Sequence, residues 1–302
     1  MALKDIKAKI GSTNRTNKVT RAMEAVSAVK MRKTQEAALS GRPYARAALQ
    51  ILSRLSAGAD LARHPLTDTR EVKKVALVII TSDKGLAGAL NSGVTKAALE
   101  AVRAYPASAV SVFAYGKKGQ EFFGHRGYAI KEYWENKVDD VELSAMDRLV
   151  TDLSKAYTDK EFDQVLVAYS NFRSTFEQVA VVRSLLPLSL TEVTKLVEDI
   201  VPQKGLYSDI ERSETTPAYT IEPDDAVLLD LLVPRLVASS LYHMLLESKA
   251  SEHSARMVAM KNASDKSKEV VRDLTRTYNK LRQAAITREV SEIVGGREAL
   301  AS

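Results

Sequence analysis

Between Gly205 and Gly295 the chain contains no glycine, and no proline follows Pro234. Glycine and proline are the residues that most often end a helix, so this stretch reads as one helix from Pro223 to about Val294. Pro223 suits a first helical position, Asp224 and Asp225 put carboxylates where the helix dipole favours them, and Gly295-Gly296 supplies a stop. At ~1.5 Å per residue the predicted rod is on the order of 100 Å long, several times the width of a small domain. Helices gain most of their stability from packing, so something must lie along it.

The sequence indicates what that is. Val271, Leu274, Tyr278, Leu281 and Ala285 recur at alternating spacings of three and four, the pattern of a coiled-coil seam with one partner helix. From Leu3 to about Leu55 a second long helix is predicted, with Ile6, Ile10, Val19, Met23, Val26 and Val29 among its apolar positions. Gly11-Ser12-Thr13-Asn14 is a soft spot in it, and Gly41-Arg42-Pro43 should kink or restart it. Ala22, Ala25, Ala28, Ala255, Ala259 and Ala263 are small enough to let two such helices approach closely. Antiparallel pairing of the two chain ends fits a compact domain inserted between them.

That domain starts at about Val72. Val75 to Ile80 is a continuous apolar run, as expected of a strand buried on both faces, and Val110–Tyr115, Val165–Tyr169 and Gln178–Leu186 read likewise. Helices are predicted at Ser92–Ala104, Lys117–Phe123 and Leu143–Tyr157. Strands alternating with helices imply a mainly parallel, Rossmann-like α/β sheet. The predicted fold class is therefore α/β plus long helices. Its parts are an N-terminal coiled-coil helix over 1–58, a central α/β domain over 72–200, a polar connecting loop over 201–222 and a C-terminal coiled-coil helix over 223–302.

Composition removes several kinds of chemistry. The absence of cysteine excludes disulfides, iron–sulfur clusters, thiolate zinc and cysteine catalysis, and the four histidines show no metal-ligand spacing. No apolar run approaches the ~18 to 20 residues that a membrane span needs. An amphipathic pattern beginning at Leu3 leaves no room for a signal peptide, which points to a cytoplasmic, prokaryote-like setting. The net charge of +6 is uneven: the first 57 residues carry twelve Lys and Arg against Asp5, Glu24 and Glu36, while the middle is acidic. Basic ends suggest an acidic partner, with nucleic acid, anionic lipid or an acidic protein surface as candidates.

Local motifs do not assemble an active site. The loop Asp83–Asn91 lies where a phosphate loop would sit, but Gly85 and Gly88 fit neither glycine-rich fingerprint, so a structural tight turn is expected. Ser27-Ala28-Val29-Lys30 has the S-x-x-K spacing of a serine nucleophile without its partner motifs. Asp139-Asp140 and Asp224-Asp225 are adjacent pairs that cannot face each other across a cleft.

Four stretches carry a resemblance to a known family. They are Ile6–Ile10 with Asn17–Lys30, Ser82–Asn91, Glu247–Ala263 and, most specific of all, Tyr278–Gly296. In order and spacing they resemble the gamma subunit of the F-type ATP synthase of bacterial type. The resemblance implies a shaft inside a ring of alpha and beta subunits, present in one copy per complex, with the epsilon subunit and the c-ring as further partners and no nucleic acid. It implies a peripheral location on the cytoplasmic face of the bacterial plasma membrane, and no catalytic site in the chain itself. No cofactor is expected directly on it; ATP, ADP and magnesium belong on the alpha and beta subunits. Coupling contacts with beta, again by resemblance, fall on Met23, Arg256, Arg282, Gln283, Thr287 and Glu289. Ile286, Val290, Ile293 and Leu300 are expected to form an apolar, charge-free tip suited to a protein sleeve.

Overall fold

The computed structural model describes residues 3–40, 64–137, 144–189 and 225–301. In chain order its elements are α1 (Leu3–Ser40), β1 (Val75–Ile80), α2 (Leu90–Val102), β2 (Val110–Tyr115), α3 (Lys117–Gly124), β3 (Ala129–Trp134), α4 (Ser144–Thr158), β4 (Gln164–Ser174), β5 (Glu177–Leu186) and α5 (Asp225–Ala301). The expected continuation of the first helix to Leu55, its break at Gly41–Pro43, the Asp139-Asp140 pair, the polar loop over 201–222 and the Pro223 start lie outside the described residues. The chain divides into two compact units, Met1–Ser27 with Arg256–Ser302 and Ala28–Ala255. No helix among the described residues is long and apolar enough to cross a membrane.

Within Ala28–Ala255, five strands form one sheet in the order β3-β2-β1-β4-β5. All neighbours are parallel except β4 and β5, which form a hairpin. Successive side chains of a strand point to opposite faces, and both faces of β1 are covered. Ala76, Val78 and Ile80 pack with Leu149 and Leu153 of α4 and with Val233, Val237, Leu241 and Leu245 of α5. Val75, Leu77 and Ile79 face Val94, Ala98 and Val102 of α2 and Phe123 of α3. That two-sided burial explains why β1 is an unbroken apolar run.

The predicted tight turn after β1 is held by its own side chains. Asn91 Oδ1 accepts the Ser82 N–H at 3.0 Å, Asn91 Nδ2 donates to Ser82 Oγ at 2.7 Å, and Ser82 Oγ donates to the Lys84 carbonyl at 2.6 Å. Asp83 ties the turn to two later loops, its carboxylate accepting the N–H groups of Lys117 at 2.7 Å and Asn136 at 2.8 Å.

Three expectations need correction. Gly295-Gly296 does not stop α5, which continues to Ala301. Each glycine costs about 1 kcal/mol relative to alanine in a helix, and the following Arg-Glu-Ala-Leu-Ala run consists of strong helix formers that carry it through. The soft spot at Gly11–Asn14 does not interrupt α1 either, and Thr13 Oγ1 bonds back to the Lys9 carbonyl at 2.9 Å. Strand β3 was not foreseen, because Lys131 and Glu132 break its apolar pattern; it is an edge strand with alternating exposure, where charge discourages further pairing.

Candidate coupling surface

All six residues singled out for coupling belong to the unit formed by Met1–Ser27 and Arg256–Ser302. Inside this unit α1 packs along α5. Asn17 Nδ2 donates to the Ser264 carbonyl at 2.6 Å and meets Ser264 Oγ at 3.0 Å, which sets the register. In α1 as far as Ser27, the buried or half-buried Ile6, Ile10, Thr13, Asn17, Thr20, Glu24 and Ser27 follow a strict alternation of four and three, with Leu3, Gly11 and Met23 half-buried beside them. On α5 the matching set is Met257, Met260, Ser264, Ser267, Val271, Leu274 and Tyr278. Of the predicted seam, Val271, Leu274, Tyr278 and Ala285 are half-buried, but Leu281 is 38% exposed, lying where α5 has passed the start of α1; the seam extends instead toward the N-terminal end of α5.

Its chemistry differs from expectation. Val19 and Val26, read from the sequence as packing positions, are 57% and 55% exposed, and Ala22 and Ala25 also face solvent. The seam is lined instead by small polar residues whose hydroxyls satisfy themselves on their own helix: Thr20 Oγ1 donates to the Thr16 carbonyl at 3.1 Å and Ser267 Oγ to the Ala263 carbonyl at 2.7 Å. A polar residue at a seam position specifies register at a cost in stability. Following the three–four alternation onward from Ile6 and Ile10 reaches Thr13, Asn17 and Thr20, so the signal was present but masked by the more apolar Val19 and Val26. Asn17→Ala is expected to loosen the pair by about 1–2 kcal/mol, read as faster amide exchange in residues 3–27 with the α/β unit unchanged. Equal exchange in both proteins would show that water replaces the bond without loss.

Counted from the Asn17–Ser264 pair in opposite directions, Met23 lies level with Val258 and within a turn of Arg256, and Leu3 lies level with Tyr278. The six residues consequently fall into two groups. Met23 is partly buried on α1 and Arg256 is buried, only 8% exposed. Arg282, Gln283, Thr287 and Glu289 are exposed, about 40 Å along α5 from Arg256 at ~1.5 Å per residue.

Beyond Tyr278 α5 has passed the start of α1. Ile286, Val290, Ile293 and Val294 are all at least half exposed, Ile293 reaching 72%. Arg282, Ile286, Glu289 and Ile293 form one stripe along this tail, and Gln283, Thr287, Val290 and Val294 the next. The tip is not charge-free: Arg288 and Glu292 pair at 3.6 Å, and Glu289 sits among the apolar residues. Helical periodicity interleaves charges with the apolar stripe, whereas a search for apolar residues alone skips them.

The α/β unit offers a cleft of about 530 Å³ lined by His64, Asp147, Ser154, Lys155, Asp230 and Arg235 among others. Serine, histidine and aspartate together invite a catalytic reading, but the geometry opposes it. His64 Nδ1 accepts the Leu66 N–H at 3.1 Å and Nε2 lies 3.5 Å from Asp230, which leaves no ring nitrogen to take a proton from Ser154. Burial lowers the His64 pKa below its ordinary value, against the opposing pull of Asp230.

A family model described as ATP synthase matches residues 2–300. The chain is 38% identical over 299 residues to the ATP synthase gamma chain of Pelotomaculum thermopropionicum, covering 99% of each. It is also 38% identical over 303 residues to the sodium ion specific ATP synthase gamma chain of Acetobacterium woodii, covering 99% of this chain and 98% of that one. Among solved structures, it resembles a chain in the central stalk and c-ring of Tetrahymena thermophila mitochondrial ATP synthase with a TM-score of 0.58, 26% identity and coverage of 82% and 99%. A chain in the Euglena gracilis mitochondrial ATP synthase shares the fold at a TM-score of 0.64 and 17% identity, with coverage of 99% and 94%.

Proposed function

Since this chain belongs to the ATP synthase gamma chain family, we propose that it is the central rotor shaft of a proton-translocating F-type ATP synthase, performing no catalysis itself. Its partners are the alpha and beta subunits around the helix pair, and the epsilon subunit and c-ring at the α/β unit. One copy sits in each complex, peripheral to the cytoplasmic face of the plasma membrane, and ATP, ADP and magnesium bind to alpha and beta. The observation that carries this reading is the α5 tail past Tyr278, a single helix with Ile286, Val290 and Ile293 exposed. Such a helix is marginal in water and gains stability inside a protein sleeve.

Rotation does work through differential contact. Each beta subunit meets a different face of an asymmetric shaft, and its nucleotide affinity changes only as far as those contacts favour one beta conformation over another. Arg282, Gln283, Thr287 and Glu289 supply polar contacts at the tip, and the exposed Arg15, Lys18 and Arg21 a basic face for an acidic beta segment. Charge-assisted bonds of about 1.5–3 kcal/mol each hold a resting angle without blocking rotation.

The test is co-assembly of the purified chain with cognate alpha and beta subunits. A defined complex with ATPase activity is expected; no complex, or ATPase activity from this chain alone, overturns the reading. Met23 is unbranched and apolar, so it can slide past charges without pinning them. Met23→Lys adds a cation beside that basic face, and is expected to reduce ATP-driven proton pumping per ATP hydrolysed by about fivefold or more, the effect of one added bond of ~1–2 kcal/mol. An unchanged ratio removes Met23 from the coupling contact.

A further inference from the structure

Helix α5 is buried on every side from His243 to Ser254, more than three consecutive turns. A helix enclosed in this way is ordinarily apolar all round. Here the enclosed stretch includes Glu247, Ser248, Lys249, Ser251, Glu252, His253 and Ser254, with Lys249 only 1% exposed. The apolar contacts upstream, from Val233 to Leu245, hold the helix against the sheet but do not set its angle about its own axis, because hydrophobic attraction has no direction. Hydrogen bonds have one.

Two of those serines are aimed at the same target. Ser251 Oγ donates to the Ser170 carbonyl at 3.0 Å, and Ser254 Oγ donates to the Thr175 carbonyl at 2.6 Å. Three residues apart, they share one face of α5, and both acceptors are on the β4–β5 hairpin. The hairpin is itself braced: Ser174 Oγ accepts the Glu177 N–H at 3.1 Å, and Gln178 Nε2 donates to the Ser174 and Thr175 carbonyls at 3.0 Å and reaches Ser254 Oγ at 3.4 Å. Further up the same helix, His243 Nε2 lies 3.1 Å from Glu247, and on the hairpin strands Arg183 Nε donates to Tyr169 Oη at 3.1 Å.

We propose that the β4–β5 hairpin is a clamp that keys α5 to the α/β unit, with Ser251 and Ser254 as positioning residues for torque transfer. The inference rests on the rotor reading above and deepens it. A turn of α5 by ~20° would carry a hydroxyl ~5 Å from its axis through about 2 Å, enough to break either bond. Load applied to the α/β unit therefore enters α5 through these hydroxyls rather than by friction against its apolar face.

The test uses the complex of this chain with alpha and beta subunits, with a viscous load attached to the α/β unit. The variant is Ser251→Ala with Ser254→Ala; the control is Ser267→Ala, which removes a hydroxyl of the same helix, 9% exposed, that bonds only to its own backbone. ATP hydrolysis without load is expected to stay near wild type. Loaded rotation is expected to slow by about fivefold or more, and amide exchange between Leu246 and Ser254 to rise by a similar factor, each lost bond being worth about that much. Loaded rotation equal to wild type overturns the clamp, as does an equal loss in the Ser267→Ala control, which would mark a merely structural role. If the double variant does not assemble, Ser254→Ala alone is measured in the same way. A wild-type chain that assembles but does not rotate refutes the rotor reading and the clamp with it, an outcome distinct from wild-type rotation with an unaffected variant.

Discussion

Replacing Gly116 with alanine is expected to lower the stability of the α/β unit by about 3–5 kcal/mol, a large part of the 5–15 kcal/mol that holds a typical domain folded. Gly116 links β2 to α3 with φ +108°, a region that side chains rarely enter. A Cβ there would stand 1.9 Å from the Thr81 carbonyl oxygen and 2.6 Å from its carbon, so the obstacle is backbone and not a side chain that could swing aside. Neither backbone can yield. Thr81 N donates to the Tyr115 carbonyl at 2.8 Å, Gly116 N donates to the Trp134 carbonyl at 2.8 Å, and Thr81 Oγ1 accepts the Gly119 N–H at 2.8 Å. Urea unfolding of the purified chain measures the loss. Gly124→Ala serves as the comparison, since nothing lies within 4 Å of its added Cβ and its backbone is helical. A Gly116→Ala midpoint close to that of Gly124→Ala would contradict the steric account.

The second large effect concerns Arg70 and Asp163, whose side chains are 18% and 14% exposed. Arg70 Nε donates to Asp163 Oδ1 at 2.9 Å, its Nη2 donates to the Tyr157 and Phe162 carbonyls, and its guanidinium lies 4.3 Å from the centre of the Tyr157 ring. Asp163 Oδ2 accepts the N–H groups of Lys73 and Lys74, both at 2.9 Å, where the chain enters β1. Arg70→Ala leaves two carbonyls and a largely buried carboxylate without their cation, and is expected to cost about 3 kcal/mol.

The same site predicts a pH dependence. Burial alone would raise the Asp163 pKa, but the two backbone N–H groups and Arg70 outweigh it and hold the carboxyl below its ordinary value of 3.8. A folded-state pKa depressed in this way contributes stability above the unfolded-state pKa and loses it as pH falls through the folded one. Asp163→Asn should therefore be less stable than wild type near neutrality, with the gap closing between about pH 5 and about pH 2. A gap that stays constant over that range would mean the carboxylate charge contributes nothing.

Much of the architecture was legible because it depends on patterns local to the chain. The apolar run of β1 reads as a strand buried on both sides, and it is; Val110–Tyr115 matches β2 residue for residue. The charged edge strand β3 and the helical passage through Gly295-Gly296 were not: pairing with β2 overrides a weak strand preference in the first, and the helix formers after the glycines outweigh them in the second. The residues proposed for coupling were legible only as a set of names. Their division into a Met23–Arg256 level and a distant tip group, and the burial of Arg256, depend on the register of α1 against α5.

Period and composition along the chain were enough to determine that two long helices accompany a Rossmann-like sheet, because 3.6-residue and two-residue repeats are properties of consecutive residues. The tertiary structure alone decided which residues of those helices meet. Val19 and Val26 are the more apolar candidates, yet Thr20 and Ser27 are buried. Small side chains let the backbones approach, and the Asn17–Ser264 bond locks one register out of several that apolar pattern would allow. The serines that hold α5 to the hairpin were hidden for the same reason. A hydroxyl has no readable preference until folding brings an acceptor to it, here from a hairpin some eighty residues away.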